Sequence, residues 1–569
     1  MTQSLKSFLT RVNTCSAGTP NLNRSVFSQQ DVPDKFHVQS LKGIELYEVS
    51  VENLQRYLTE GHFSSVDYVR FCLERIHCIN PYLETVIEAN PDAVHIAEQL
   101  DEERRQGKTR GVLHGTPVLV KDNMATKDKM QTTAGSWALL GSIVPRDAYV
   151  VSLLRKAGAI ILGHAHMSEL SSVRSSSYST GYSPRGGQVR NPYDLSSSPY
   201  GSSSGSAAAV AANIVPLSFG TETDTSIIGP ASMNGVVGIK PTVGLTSRSG
   251  VIPISENMDT IGSFGRTVAD AVYGFNAIVG TDERDISTCS PSRPQAVDYS
   301  KFLTTRASLK GAKFGLPNKR CWDQVPEDRK EVASKVFQAI RHAGGEVELT
   351  EFPCAEEHIP PDGSWDWNYG EPSQSEFTVV KVDAYNGIES YLSDLSGTDM
   401  KTVEDIIAYN ENNSGTEGAH PGDHPAFPPG QDNLREIAAS RGVKDAKYLQ
   451  ALSYIQTKSR SEGIDAALKC TSSNNNAEFD ALLLCDRKGP GQQLAAQAGY
   501  PIICIPIGVD SAGLPFSLSI QHTAWKEDVL IKWASAIEDL VHSINGWRPT
   551  PTYKNYMSKD IPVARKSTG

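Results

Sequence analysis

The sequence predicts an α/β fold with a largely parallel or mixed sheet. Apolar runs of strand length alternate with stretches of helical period along most of the chain. A helix–glycine–strand pattern occurs in AYVVSLLRKAGAIILG and again in RKEVASKVFQAIRHAGGEVELTEF. The composition is that of a globular protein: 39% of the 569 residues are hydrophobic and 21% charged, which supplies the apolar surface a large buried sheet needs.

Taken in order, residues 65–78 (SVDYVRFCLERIHC) have helical spacing, and so do residues 92–106, with Asp92 as N-cap and Gly107 as stop. In GTPVLVKDN, Val118, Leu119 and Val120 form a buried strand that carries Lys121 to its end. AAAVAANIVPLSFG reads as a helix followed by a strand, AGYPIICIPIGV as a further apolar strand, and KEDVLIKWASAIEDLVHSI as a closing helix. Residues 355–445 break the rhythm. They are rich in Glu, Asp, Asn, Pro and Gly, with aromatics in GSWDWNYG and HPAFPPGQDN. Helices and long loops added to the sheet core fit this composition, either lining a substrate entrance or decorating the surface. The expected division is a tail and leading helix over 1–60, one domain over 61–550 and a tail over 551–569.

Net charge is −11 and no run of Lys and Arg interrupts it, which argues against a nucleic-acid partner. No apolar stretch reaches bilayer-spanning length, so no membrane partner is expected. Nine cysteines without a CxxC pair read as thiols in a reducing compartment. His164 and His166 lack Cys partners or a carboxylate cluster and read as structural, so no metal is expected. The first residues carry Lys6, Arg11 and Arg24 and no acid before Asp31. That pattern fits a polar tail, or a mitochondrial transit segment. A cytoplasmic location is expected, with mitochondrial import as the alternative.

The stretch GSSSGSAAAVAAN (Gly201 to Asn213) puts many hydroxyls ahead of a small-residue helix. Gly/Ser linkers do not usually run into an apolar helix and strand, which removes the linker reading. Gly201 to Gly205 matches the esterase elbow G-x-S-x-G with Ser203 as nucleophile, but NPYDLSSSPY ahead of it has turn chemistry where the elbow needs a strand. A third reading joins Lys121, the turn around Ser202, and Ser226 in GTETDTSIIGPASMNGVVGIKPT. GTPVLVKDN, GSSSGSAAA and GTETDTSII resemble, in that order, the blocks G-x-P-x-x-V-K-D, G-G-S-S-G-G-S-A and G-T-D-x-G-G-S-I of the amidase signature family of serine hydrolases. Ser226 follows Ser202 by 24 residues, the family's usual separation. TTAGSWAL, RGGQVRNPYD, MDTIGSFGRTVADA and GPGQQLAAQAGYP extend the resemblance over about 65–545, closest in look to peptide-amidase-like and fungal members.

The resemblance implies the amidase signature fold, a large mixed central sheet covered by helices on both faces. It implies hydrolysis of a carboxamide to an acid and ammonia, with Ser226 as nucleophile, Ser202 as proton relay after a cis peptide bond, and Lys121 as base. An ammonium at the end of a buried apolar strand is poorly solvated, which favours the neutral amine such a base needs. Backbone N–H groups of Thr223, Asp224, Thr225 and Ser226 would hold the oxyanion. Ser203 belongs to the same substrate-binding surround, and Ser203, Ser204 and Ser206 are expected to hydrogen-bond the loop and the helix N-terminus. Asp224 and Thr225 depart from the family's glycines and Ile228 from a frequent Arg. A carboxylate at Asp224 is expected to repel acidic substrates and to contact a donor on the substrate. Tyr200, also a departure, either packs or shapes the acyl pocket. No cofactor is implied; the partner is a small-molecule amide, and the protein a monomer or homodimer. The other readings are the glutaminase subunit of a tRNA-dependent amidotransferase, a non-catalytic binding member, and the Ser203 esterase.

Overall fold

Residues 32–295, 297–364, 366–469, 478–485 and 491–557 are described by the computed structural model. The transit or tail reading of the first 31 residues lies outside them, as does 558–569 of the expected C-terminal tail. The strands are β1 Val86–Ala89, β2 Pro117–Lys121, β3 Ile160–Ala165, β4 Tyr182–Ser183, β5 Gly187–Gln188, β6 Leu217–Glu222, β7 Val237–Lys240, β8 Thr260–Gly265, β9 Lys313–Pro317, β10 Glu346–Thr350, β11 Ala481–Cys485, β12 Ile502–Val509 and β13 Pro515–Gln521. All but the β4–β5 hairpin join one 11-stranded sheet of order β1-β3-β2-β6-β8-β7-β12-β13-β11-β9-β10. β3, β2 and β6 run parallel, as do β11, β9 and β10; the central strands between these groups alternate in direction. The sheet is therefore mixed.

Its strands read as continuous apolar runs because both faces are covered. Val118 and Val120 of β2 enter one apolar core and Leu119 the other. Ile503 and Ile505 of β12 divide from Ile502 and Cys504 in the same way. This is the period-2 alternation of a pleated strand with helices above and below. The longer helices are α1 Val51–Glu60, α2 Ser65–Leu83, α3 Ala93–Arg105, α4 Tyr149–Lys156, α5 Ser204–Ala211, α6 Ile228–Met233, α7 Val268–Ile278, α8 Glu327–His342, α9 Glu376–Ser393, α10 Val403–Asn412, α11 Asp432–Ser440, α12 Ala446–Ser459, α13 Gln492–Ala498 and α14 Glu527–Asn545. α4, α7, α9 and α14 feed the first core, and α2, α3 and α5 the second.

α2 starts at a capping box, Ser64 with Asp67, and runs past residue 78 to Leu83, carrying Pro81 in its last turn. Asp92 occupies the N-cap position of α3 without capping it; its carboxylate takes Lys129 Nζ at 2.6 Å instead. Part of the segment read as a C-terminal tail is packed. Tyr553 stacks on Phe36 at 4.2 Å between ring centroids. Just before it, Arg548 donates to Glu48 from Nη2 at 2.6 Å and from Nε at 2.7 Å, both side chains 1% exposed. Within the described residues, no helix is long and apolar enough to cross a membrane.

Candidate active site

β2 and β6 are parallel neighbours with Val120 opposite Phe219, so their C-terminal ends share one edge of the sheet. Loops at that edge of parallel strands are where α/β proteins build their sites. β2 ends on Lys121, and β6 leads through Thr221 and Glu222 into the loop that carries Ser226. The Gly201–Ser202 peptide bond is cis. Lys121 Nζ donates to Ser202 Oγ at 2.8 Å, to Thr221 Oγ1 at 2.8 Å and to the Thr221 carbonyl at 3.3 Å. The N–H of Ser202 donates to Ser226 Oγ at 3.1 Å. Lys121 and Ser202 are fully buried, and Ser226 is 9% exposed. The three residues picked from the sequence therefore meet in one cluster, Ser202 touching Lys121 with its hydroxyl and Ser226 with its backbone, while Ser226 Oγ–H donates to the Asp224 carbonyl at 3.3 Å.

Burial without an ion pair pulls the Lys121 amine down to about 7, against the opposing fields of Asp259 and Glu222. Those two carboxylates also organise the loop. Glu222 Oε2 accepts the N–H groups of Ile227 and Ile228 at 2.6 and 2.9 Å, and Asp259 accepts Thr223 Oγ1–H at 2.6 Å and the Ile254 N–H at 2.7 Å. Desolvation raises both carboxyls above their usual range. Thr225 adopts a positive φ of 51°. Its N–H and that of Ser226 have no acceptor among the described residues, as donors kept for an incoming oxyanion would not. Tyr200 packs its ring over Gly229, where an added Cβ would come within 2.3 Å of it, and its hydroxyl meets Thr225 Oγ1 at 3.2 Å. It braces the loop.

The neighbouring serines hydrogen-bond the loop and β6, but not the helix N-terminus. Ser203, Ser204 and Ser206 donate to the carbonyls of Thr221, Tyr200 and Phe219 at 3.0, 2.5 and 3.0 Å; none caps α5. Ser203 comes this close to β6 because Gly220 has no Cβ, which would stand 2.6 Å from Ser203 Oγ. A fully buried hydroxyl committed to a carbonyl, with no strand before it, does not fit an esterase elbow. His164 is held by Asp122 and Thr126, and His166 by the Glu84 carbonyl and Ser183, so both rings are structural. Asp224 lies in the loop as expected, with its carboxyl oxygens buried beside Glu376, the first residue of α9. Asp259, Glu222, Asn123 and Glu376 were not singled out by sequence. The first two lie in the MDTIGSFGRT and GTETD blocks; nothing in its local pattern marks Glu376.

A chamber of about 480 Å³ opens beside this edge, walled by Arg146, Arg248, Glu256 and, from α9, by Asp383, Ser390 and Tyr391. It shares Arg248, Val251, Pro253 and Asp259 with a narrow inner cleft that reaches Asn123, Ser171, Thr221 and Thr223. The 355–445 segment thus supplies one wall of the chamber, whose inner cleft reaches Thr221, a hydrogen-bond partner of Lys121.

Known proteins resemble the chain in sequence and in overall fold. The family described as Amidase matches residues 67–395. A "putative amidase" of Schizosaccharomyces pombe is 46% identical over 98% of this chain and 96% of its own. The crystal structure of native peptide amidase from Stenotrophomonas maltophilia superposes with a TM-score of 0.78 at 38% identity, covering 89% of this chain and 98% of that one. One subunit of the glutamyl-tRNA(Gln) amidotransferase of Carboxydothermus hydrogenoformans is more distant, 29% identical over 87% of this chain and 98% of its own. The chain belongs to the amidase family.

Proposed function

We propose that the protein hydrolyses a linear carboxamide to a carboxylic acid and ammonia through a seryl acyl-enzyme. The observation that carries this reading is the buried cluster in which Lys121 Nζ donates to Ser202 Oγ and the backbone N–H of Ser202 donates to Ser226 Oγ. Neutral Lys121 takes the proton of Ser202 Oγ as Ser202 takes that of Ser226 Oγ, and Ser226 Oγ attacks the amide carbon. The carbonyl oxygen gains the negative charge and is met by N–H donors of the Thr223–Ser226 loop. The tetrahedral species collapses with C–N cleavage, and the proton held on Lys121 returns through Ser202 to the leaving nitrogen. Water then attacks the acyl-enzyme, losing its proton along the same relay, and the acid departs. The greater similarity to amidases than to the amidotransferase chain favours an enzyme that releases its ammonia.

Intact-mass analysis after treatment with a fluorophosphonate probe tests the assignment. Wild type and Ser203→Ala gain one adduct and Ser226→Ala gains none, and a carboxamide panel scored by ammonia release then defines the acyl group. Labelling that follows Ser203 refutes the mechanism.

A further inference from the structure

Ser202 is held at three points, and the relay supplies only two of them. Its Oγ meets Lys121 and its N–H meets Ser226. Its carbonyl accepts the N–H of Ser168 at 3.1 Å. Ser168 is buried and packs so closely on Gly201 that an added Cβ there would stand 2.4 Å from Ser168 Oγ. The chain then turns through Leu170, Ser171 and Ser172, all with positive φ, of 46°, 55° and 78°. Three consecutive left-handed residues without a glycine are strained, and they persist only where their surroundings over-determine them. Behind the turn lies a buried ionic cluster. Arg174 Nη1 donates to Glu169 Oε2, and Nη2 donates to the carbonyls of Glu417 and, at 3.3 Å, Gly418. The guanidinium lies over the Phe427 ring, 4.1 Å from its centroid. Glu417 Oε2 stands 3.7 Å from Nη1, outside hydrogen-bond reach. The side chains of Glu169, Arg174 and Glu417 are no more than 1% exposed, and Arg174 is the one cation paired with either acid among the described residues. Burial and the neighbouring Glu169 push the Glu417 carboxyl up to about 7. Glu169 is thus the hydrogen-bonded acid of the cluster and Glu417 the spare one.

We propose that Glu169 and Arg174 are positioning residues for the relay: their buried ion pair anchors the left-handed turn to the 414–427 segment, and the Ser168 N–H at the head of that turn sets the angle of the Ser202 peptide. The proposal rests on Ser202 as proton relay. The pair touches no reacting atom; it acts through the backbone, since Glu169 adjoins Ser168. When the pair opens, the turn relaxes toward ordinary φ values, the Ser168 N–H leaves the Ser202 carbonyl, and the peptide rotates. Ser202 Oγ and N–H then lose their aim at Lys121 and Ser226 together. A displacement of about 1 Å at such a step costs on the order of a hundredfold in rate.

The test compares two substitutions that remove the same charge from the same cluster. In Glu169→Gln the guanidinium turns to the remaining carboxylate, Glu417, and releases the turn. In Glu417→Gln the hydrogen bond between Arg174 and Glu169 stays. Each enzyme is labelled to its endpoint with the fluorophosphonate probe, and kcat is expressed per labelled site, which removes any unfolded fraction. Glu169→Gln loses at least about tenfold in kcat and in the rate of labelling, while Glu417→Gln stays within about threefold of wild type. Arg174→Lys keeps the charge but lacks the fork that reaches carboxylate and carbonyls at once; it falls with Glu169→Gln and takes its place should that variant not fold. A merely structural pair lowers the denaturation midpoint and leaves kcat per site unchanged, so Glu169→Gln or Arg174→Lys within about threefold of wild type overturns the proposal. Equal losses in Glu169→Gln and Glu417→Gln overturn it too, because charge and not the anchored turn then matters. Ser202→Ala reports on the relay by itself: activity kept there refutes the relay reading, whereas activity lost there beside an active Glu169→Gln refutes the positioning alone.

Discussion

Thr221→Val probes how the base is tuned. Valine keeps the shape of the side chain and removes the hydroxyl that accepts Lys121 Nζ at 2.8 Å and Asn123 Nδ2 at 3.0 Å. Protonated Lys121 has three acceptors, Ser202 Oγ, Thr221 Oγ1 and the Thr221 carbonyl. Losing one costs the buried ammonium about 1–3 kcal/mol, and each pKa unit is worth about 1.4 kcal/mol, so the amine drops by roughly one to two units. The base works when neutral, so kcat/KM rises with pH through its pKa, which burial places at about 7. One unit below that midpoint the wild type keeps about a tenth of its plateau and the variant about half or more. The assay is ammonia release from one saturable carboxamide across the acid limb, each enzyme scaled to its own plateau. An acid limb that stays put or moves upward refutes the reasoning that this hydroxyl stabilises the ammonium.

Ser202→Ala removes the hydroxyl that meets Lys121 and keeps the backbone N–H that meets Ser226; kcat falls by about a hundredfold to ten-thousandfold with the circular dichroism spectrum unchanged, and a drop below tenfold would remove Ser202 from the relay. Arg548→Ala removes the hydrogen-bonded counter-ion of buried Glu48 and leaves it only Asn213, Trp547 and the field of Arg266, which destabilises the fold by up to about 3–5 kcal/mol in a denaturant titration. An unchanged midpoint would show that the pair carries no weight.

What was legible in the sequence is what local pattern determines. Val118–Val120 is apolar at every position because β2 is buried on both faces, and the single cation that follows had to be a special one. The spacing of Ser202 and Ser226 survived into contact because helix and strand between them, α5 and β6, form one compact hairpin-like return. What escaped depends on distant pairing. Glu376 sits 150 residues beyond Ser226 in the chain, and only the docking of α9 brings it to Asp224. The direction of the serine hydroxyls escaped for a related reason: the acceptors at Phe219 and Thr221 belong to β6, whose approach to α5 is a tertiary fact. The order of the central strands could not be read, since antiparallel pairs such as β7–β12 join residues more than 260 positions apart.

The contacts between Glu48 and Arg548 and between Phe36 and Tyr553 have a consequence for vectorial synthesis on the ribosome. Phe36 and Glu48 also meet partners much nearer in the chain, Tyr82 and Asn213, so the leading segment docks in two stages and its last contacts close only when residues 548–553 have emerged. A nascent chain stalled shortly before Arg548 holds every residue of the Lys121–Ser202–Ser226 relay, yet leaves Glu48 without its counter-ion. A C-terminal truncation at that point would therefore be read by quality control as an unfinished fold, even though no residue of the relay is missing.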